Sequence, residues 1–233
     1  MRDQVVSVAD PITDTLAHLE VSAVGVASLA EPGNARLADM ARRLLPTAES
    51  VVVLGREIYP EVLAHTTPTK VMGEAALRDI LAPHMAHLDG RLTSAIYKLC
   101  DALHAHRYRA LPLPSDACPV DPRHQAAIFS FKHAAQAAGL GVMGKSALLI
   151  TPQFGPRVRL ACLLTEAKLA STAADHANPC LNCDACIEAC PARAIAQPSG
   201  EEACSVNKFV CCAFRAGSGA CSECMKVCPV GAW

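Results

Sequence analysis

The chain contains the stretch Cys180-Leu-Asn-Cys183-Asp-Ala-Cys186-Ile-Glu-Ala-Cys190-Pro191, which restricts its fold more than any other. Its spacing is C-x2-C-x2-C-x3-C-P, which is typical of thiolates that hold a cubane iron–sulfur cluster. Three thiolates two residues apart can wrap one face of a cubane in a tight turn. In proteins with two such clusters, the fourth cysteine of the run binds the other cluster. The stretch therefore predicts two [4Fe-4S] clusters in the last quarter of the sequence.

A second, incomplete run follows at Cys221-Ser-Glu-Cys224-Met-Lys-Val-Cys228-Pro229. A [4Fe-4S] cluster usually takes four thiolates, and the cysteine missing from this run falls at Ser218, so one ligand must come from elsewhere. The candidates are Cys204, Cys211 and Cys212, of which the spacing favours Cys204 without excluding the other two. The predicted ligand sets are Cys180, Cys183, Cys186 and Cys228 for the first cluster, and Cys190, Cys204, Cys221 and Cys224 for the second.

Zinc sites and disulfide bonds are the ordinary alternatives for closely spaced cysteines. Paired C-x2-C elements are typical of zinc, but a three-thiolate run that ends in Cys-Pro and has a partial copy favours a cluster. Disulfides need an oxidising compartment, and the segment from Met1 to Ser7 carries neither an apolar signal segment nor a twin arginine. The expectation is a cytoplasmic protein whose cysteines hold metal.

Composition sets the size of the core and limits the partners. The 233 residues are 52% apolar, which allows one large domain plus a small one, with predicted bounds of 1–172 and 173–233. The charged fraction is 18% and the net charge is −1, so a general nucleic-acid-binding surface is not expected. No apolar run approaches the length of a membrane span. The upstream cysteines are expected to be small buried apolar residues: Cys100, Cys118 and Cys162.

Hydrophobic periodicity predicts alternating strands and helices early in the chain and strands joined by short loops later. The fold class is therefore α/β or α+β. Predicted helices cover 10–20, 35–45, a long amphipathic segment with a break at Asp89-Gly90, and 125–138. Predicted strands cover 21–29, 50–55, 109–114, 147–151 and 157–165. Residues 56–72 are expected to form a loop.

The block from Ala138 to Pro152, A-G-L-G-V-M-G-K-S-A-L-L-I-T-P, resembles a block that precedes a two-cluster module in epoxyqueuosine reductases and reductive dehalogenases. The resemblance covers roughly residues 100 to 230, including a lone cysteine, Cys204, between the runs. It implies a nitroreductase-like α/β domain followed by a small ferredoxin-like domain with two [4Fe-4S] clusters. It also implies a bound cobalamin reduced by those clusters, an external donor of the ferredoxin or flavodoxin type, and a small-molecule or tRNA-borne substrate.

The same resemblance implies roles for residues in and near the block Ala138 to Pro152, called the glycine block below. Each of these residues also has a purely structural alternative. Lys132, Gly139, Gly141, Gly144, Lys145 and Ser146 are the predicted cofactor-binding residues. The glycines can instead end a helix and form a tight turn, and the polar side chains can face solvent. Asp116 stands roughly where epoxyqueuosine reductases carry a catalytic acid, with different spacing, or caps a loop. His133 is a candidate proton donor or a structural histidine.

Three functional hypotheses follow. The first is a cobalamin- and iron–sulfur-dependent reductase of the epoxyqueuosine reductase type. The second is an electron-transfer protein that reduces a partner or the partner's corrinoid. The third keeps a nitroreductase-like fold with a bound flavin. Retention of a corrinoid by the isolated protein separates the first hypothesis from the second, and bound FMN would support the third.

Overall fold

The computed structural model describes residues 15–16, 18–66, 80–116, 120–172, 174–199, 204–218 and 221–231. The strands are β1 Ala23–Ser28, β2 Ser50–Glu57, β3 Ala110–Leu113, β4 Val120–Asp121, β5 Ala126–Ala127, β6 Val142–Met143, β7 Leu149–Ile150, β8 Val158–Thr165, β9 Ile195–Ala196 and β10 Ser205–Val206. The helices are α1 Ala35–Leu44, α2 Pro60–Ala64, α3 Leu81–Ala105, α4 Phe131–Ala137, α5 Ala185–Glu188, α6 Lys208–Ser218 and α7 Glu223–Lys226, with a 3-10 turn at Pro32–Asn34. Most of the helix predicted at 10–20, together with Cys118 and residues 67–72, lies outside the described residues.

The largest sheet has the strand order β1-β2-β8-β3. β1 pairs antiparallel with β2, and β3 pairs antiparallel with β8. The amide of Glu49 donates to Thr165 O at 2.8 Å and that of Ile58 donates to Arg157 O at 2.9 Å, so β2 and β8 also run in opposite directions. Antiparallel pairing does not need the helical crossovers that a parallel sheet requires. Of the two predicted fold classes, the sheet therefore has the character of α+β.

The apolar stripe of α3 covers this sheet. Leu92, Ile96, Leu99 and Leu103 are all 0% exposed, as their helical spacing predicts. They pack with Val52 and Leu54 of β2 and Leu163 of β8. Burial of each such side chain contributes about 1.5–3 kcal/mol. Cys100 and Cys162 are buried apolar residues, as predicted.

The break predicted at Asp89-Gly90 is wrong, because α3 continues through both residues. Asp89 accepts hydrogen bonds from Arg159 on β8, at 2.6 Å to Nε and 2.9 Å to Nη2, and a further one from Ser115 Oγ. Burial alone would raise the pKa of Asp89, but the bonds from Arg159 and Ser115 outweigh it and hold the pKa below the usual value. This tertiary ion pair keeps a helix-breaking dipeptide inside a helix.

The helix predicted at 125–138 is also shorter in the structure. β4 and β5 form a small hairpin, and α4 begins only at Phe131, after Ser130, whose Oγ accepts from the amide of His133. The side chain of Phe129 is 0% exposed, which anchors the hairpin exit. The C-terminal end agrees with the prediction, since α4 ends just before Gly139, which has a φ of 70°. Left-handed glycine is the usual helix C-cap.

The chain divides into two compact units, each assembled from discontinuous segments. The first contains 1–56, 89–140 and 159–175, and the second contains 57–88, 141–158 and 176–233. In the second unit, Ile58, Leu63 and Leu88 form a small core with Met225 packed against it. The loop predicted at 56–72 thus includes a helix, α2, which starts at Pro60, a residue favoured at the first helical position. The domain bounds 1–172 and 173–233 stay a prediction.

Two glycines should respond oppositely to alanine. A Cβ on Gly90 would have no atom within 4 Å, so Gly90→Ala should stabilise the protein by about 0.5–1 kcal/mol. A Cβ on Gly25 would lie 2.7 Å from Ala138 O and 2.9 Å from Leu140 Cγ. Overpacking there should cost about 1–3 kcal/mol. Denaturant unfolding of both variants measures this, and a stabilised Gly25→Ala protein would contradict the packing.

The Asp89–Arg159 pair should make stability depend on pH. Because the pKa of folded Asp89 lies below its usual 3.8, the stabilisation is complete above that value and is lost as the pH falls through the folded pKa. Asp89→Asn should lower the free energy of unfolding by about 1–3 kcal/mol at pH 7. The difference from wild type should shrink below about pH 4. Asp101→Asn, on an exposed turn of α3, is the matched control and should change little.

Candidate iron–sulfur site

One group of cysteines in the second unit joins the two runs. Burial raises the pKa of Cys186, and the thiols of Cys180, Cys183 and Cys228 raise it further. Burial likewise raises the pKa of Cys228, with contributions from Cys180 and Cys183 and an opposing one from Arg157. These four side chains are therefore mutual electrostatic neighbours. They are the four cysteines predicted for the first cluster.

A second group forms around Cys224. Burial raises the pKa of Cys224 to about 12, and the thiols of Cys221, Cys211, Cys186 and Cys190 contribute. Cys211 has a pKa raised by burial and by Cys221 and Cys190, among others. Because Cys186 of the first group also acts on Cys224, the two groups lie side by side.

Local structure explains why Cys211 joins this group. The amide of Ala194 donates to Cys190 Sγ at 3.3 Å, and Ala194 O accepts from the amide of Asn207 at 2.8 Å. The side chain of Asn207 then caps α6 by accepting from the amide of Val210 at 3.1 Å. The amide of Cys211, in the first turn of that helix, donates to Asn207 O at 3.0 Å. The loop of Cys190 and the start of α6 are thus bonded together.

Cys204 stands at a different place, directly before β10, whose Ser205 pairs with Ala196 of β9. It is half-buried, as is Cys211, whereas Cys212 is exposed. The contacts that join α6 to the loop of Cys190 bring Cys211 to the second group and make it a rival to Cys204. The predicted choice of Cys204 remains a prediction.

The donor set suits clusters in its chemistry. A thiol with a pKa near that of Cys224 keeps its proton at neutral pH, and a bound cation would displace that proton. Among the described residues, no three His, Cys, Asp or Glu side chains come close enough together to hold a single metal ion. A cubane takes one thiolate at each of four iron corners, so its ligands stand farther apart than those of one ion. A donor set made of thiols alone has the chemistry that iron–sulfur clusters take.

Arg157 is a buried cation near the first cysteine group. Its Nη2 donates to Gly231 O at 2.6 Å and lies 3.5 Å from Glu57 Oε1. Its Nε is buried without a hydrogen-bond partner among the described residues. The guanidinium also lowers the pKa of Cys228, although burial keeps that pKa raised overall. A buried donor beside a cysteine is compatible with a site that carries sulfide and thiolate acceptors.

The glycines predicted to bind a cofactor allow close packing against neighbouring protein atoms. A Cβ on Gly141 would lie 2.2 Å from Ile150 O. One on Gly144 would lie 2.7 Å from Ile150 Cγ1 and 3.3 Å from Cys180 Sγ. Gly139 serves as the C-cap of α4. These contacts give the three glycines a structural role, and their predicted role in binding a cofactor stays a prediction.

Lys145 connects the glycine block to the first cysteine group. Its Nζ donates to Asp184 Oδ1 at 2.7 Å, and its side chain is only 13% exposed. The hydrogen bond to Asp184 raises the pKa of Lys145, and the thiols of Cys180 and Cys183 raise it further. Lys145 therefore keeps its charge and does not simply face solvent. It braces the loop that carries the first thiols.

The second cysteine run is braced from residues 57–66. The hydroxyls of Thr66 and Ser222 are hydrogen-bonded to each other, and both residues are buried. Thr66 Oγ1 also bonds Leu63 O at 2.8 Å, and Lys226 Nζ donates to Ala64 O at 3.2 Å. Ser222 lies between Cys221 and Cys224. The loop holding those two thiols is therefore fixed by α2 and the residues after it.

The remaining predicted residues lie outside the two cysteine runs in the sequence. His133 is exposed, and its Nδ1 is 2.7 Å from Ser130 Oγ at the start of α4. Lys132 and Ser146 are half-buried. Asp116 is an exposed turn residue. Their catalytic and cofactor roles stay predictions.

An open cleft of about 510 Å³ lies in the first unit, between α1 and the β4–β5 hairpin. Arg36, Arg43 and His124 contribute to its lining. None of the predicted site residues lines it.

Sequence reasoning missed Arg157, Glu57, Asp184 and Thr66. Asp184 lies inside the first cysteine run, so its place next to thiols was visible. Arg157 precedes an apolar strand, and an arginine that is only 5% exposed there is a detectable exception to the usual exposure of charge. The pairing of Thr66 with Ser222 spans 156 residues, and no local pattern signals it.

No protein-family model matches the chain. Similar curated proteins include the tetrachloroethene reductive dehalogenase of Desulfitobacterium hafniense, 38% identical over 112 residues, which cover 39% of this chain and 20% of that protein. The epoxyqueuosine reductase of Gloeobacter violaceus is 43% identical over 65 residues, covering 28% and 20%. The epoxyqueuosine reductase of Synechocystis is 30% identical over 158 residues, covering 67% and 49%. The chain thus spans about half the length, or less, of these relatives.

Solved structures agree on the fold. An epoxyqueuosine reductase crystallised with an epoxyqueuosine-modified tRNA stem loop has a TM-score of 0.59 at 19% identity, covering 94% of this chain and 64% of that chain. A reductive dehalogenase described for B12-dependent dehalogenation has a TM-score of 0.68 at 19% identity, covering 100% and 34%. No helix among the described residues is long and apolar enough to span a membrane. The division into nitroreductase-like and ferredoxin-like domains stays a prediction. The chain has a mixed α/β fold, and its homologues are the epoxyqueuosine reductases and the reductive dehalogenases.

Proposed function

We propose that this chain is an iron–sulfur oxidoreductase of the epoxyqueuosine reductase type, in which two [4Fe-4S] clusters deliver electrons to a corrinoid. The observation that carries the proposal is the gathering of eight thiols into two adjacent groups of four. Buried thiols crowded in this way raise one another's pKa values, and a metal–sulfide core removes that penalty.

The first cluster would be held by Cys180, Cys183, Cys186 and Cys228. The second would be held by Cys190, Cys221, Cys224 and one further thiol. Spacing and family resemblance support Cys204 as that thiol, and electrostatic proximity to Cys190, Cys221 and Cys224 supports Cys211. The closeness of Cys186 to Cys224 supports electron transfer between the clusters, since one ligand of each would be a neighbour of the other.

A bound corrinoid would supply a low-potential metal centre for the reduction of substrate. Similarity to tetrachloroethene reductive dehalogenases and epoxyqueuosine reductases supports a reductase activity. It also supports a substrate that is either a small molecule or a group carried by tRNA. The donor would be an external ferredoxin or flavodoxin.

An electron-transfer protein that reduces a partner's corrinoid is the second candidate. It is favoured by the packing of Gly141 and Gly144 against Ile150 and by the pairing of Lys145 with Asp184. These residues would otherwise be the chain's own corrinoid site. In this case Lys145 and the two glycines act only in holding the cluster loop.

Metal and cofactor content decides between these candidates. Anaerobically purified protein should contain about eight iron atoms per chain. After addition of hydroxocobalamin and removal of the excess, stoichiometric cobalt would support a reductase that holds its own corrinoid.

Full iron without cobalt uptake would instead support the electron-transfer protein. Stoichiometric FMN would support the flavin hypothesis. If the iron content stays far below about eight atoms per chain after anaerobic reconstitution with iron and sulfide, the assignment of two clusters is wrong.

Serine substitutions identify the fourth ligand of the second cluster. If Cys211 is the ligand, Cys211→Ser should lower bound iron and alter the signal of one cluster by electron paramagnetic resonance (EPR), while Cys204→Ser should leave both clusters intact. The reverse result would establish Cys204. Cys212→Ser tests the third candidate, and because Cys212 is exposed this variant should leave both clusters intact.

A further inference from the structure

The two cysteine groups have charged neighbours of different kinds. The ammonium of Lys145 lies beside the first group, where it bonds Asp184, the residue between Cys183 and Ala185. The residue before Lys145, Gly144, also lies against this group, since a Cβ on it would be 3.3 Å from Cys180 Sγ. The Lys145 side chain is 13% exposed, whereas that of Asp184 is 40% exposed. Water therefore screens the carboxylate more than the ammonium.

Arg157 adds a second buried cation to the same group. Its side chain is 6% exposed and is tied to Gly231, three residues after Cys228. Glu57 accompanies it at 3.5 Å, which is a long contact for an ion pair. The guanidinium acts directly on Cys228.

The second group carries the opposite bias. Glu223 precedes Cys224 directly, and its Oε1 is buried without a hydrogen-bond partner among the described residues. One cation near this group is Arg215, which acts on Cys211 from an exposed position on α6. Solvent weakens an exposed charge much more than a buried one.

Charge around a cluster sets its reduction potential, because reduction adds one negative charge to the core. A nearby buried cation stabilises the reduced form and raises the potential. A nearby carboxylate lowers it.

We propose that the charges of Lys145 and Arg157 make the first cluster the more easily reduced of the two. This is the cluster that Cys180, Cys183, Cys186 and Cys228 would hold. This inference rests on the proposed function, since it requires both clusters. An external one-electron donor of the ferredoxin or flavodoxin class would be oxidised as it reduces the second cluster. That cluster would then be reoxidised as its electron passes to the first cluster. The cluster held by Cys180, Cys183, Cys186 and Cys228 would then supply the electron that passes to the acceptor.

The test is a redox titration of the full chain, followed by electron paramagnetic resonance. Wild type should show two one-electron couples. Lys145→Gln should shift the higher couple to more negative potential, and Asp184→Asn should shift the same couple to more positive potential. Lys98→Gln removes a lysine from an exposed position on α3 and should move neither couple.

Shifts of opposite sign distinguish an electrostatic role from a structural one. If the ion pair only held the loop in place, Lys145→Gln and Asp184→Asn would both break it and would shift the potential in the same direction. Shifts of the same sign, a shift of the lower couple, or no shift beyond that of Lys98→Gln would overturn the proposal.

Two further variants keep the test decisive if Lys145→Gln loses its first cluster. Arg157→Gln should also lower the higher couple, and Glu223→Gln should raise the lower couple and leave the higher one in place. A Glu223→Gln protein with an unchanged lower couple would contradict the assigned asymmetry. Failure of the wild-type chain to take up iron would instead contradict the proposed function.

Discussion

Crowding of buried thiols is the constraint on which the cysteine-rich part of this protein depends. Each thiol near Cys224 and Cys186 makes its neighbours harder to ionise, and burial adds to the effect. Such an arrangement is costly for free thiolates and favourable for thiolates bound to iron. Folding of this region and assembly of the clusters are therefore expected to be linked.

The braces around the thiols come from segments far away in the sequence. Thr66 and Lys226 connect the second run to α2, and Lys145 and Arg157 reach the first group from the segment 141–158. This explains why the compact unit that holds the cysteines also includes residues 57–88 and 141–158. Two cysteine runs alone would leave their loops exposed and poorly fixed.

The same contacts give the glycine block a structural role. Within the block that resembles epoxyqueuosine reductases and reductive dehalogenases, Gly141 and Gly144 pack against Ile150, and Lys145 is bound to Asp184 near Cys180. Its co-occurrence with the cysteine runs has a direct physical reason, since the block supports the first run. The homologues are reductases. In this chain the charged side chains of Lys145 and Asp184 lie where they could act on a bound cluster.

The sequence by itself predicts which thiols would hold metal, because cluster ligands follow a local spacing that a short loop enforces. It also determined the strands at 50–55 and 157–165 and the buried stripe of α3, because burial patterns repeat with the period of each element. Only the tertiary structure decided that Asp89-Gly90 stays helical, since Arg159 lies 70 residues away. It likewise decided that Cys211 lies beside Cys190 and that Arg157 lies beside Cys228. Those contacts depend on how distant segments pack, and packing leaves no periodic trace in the sequence.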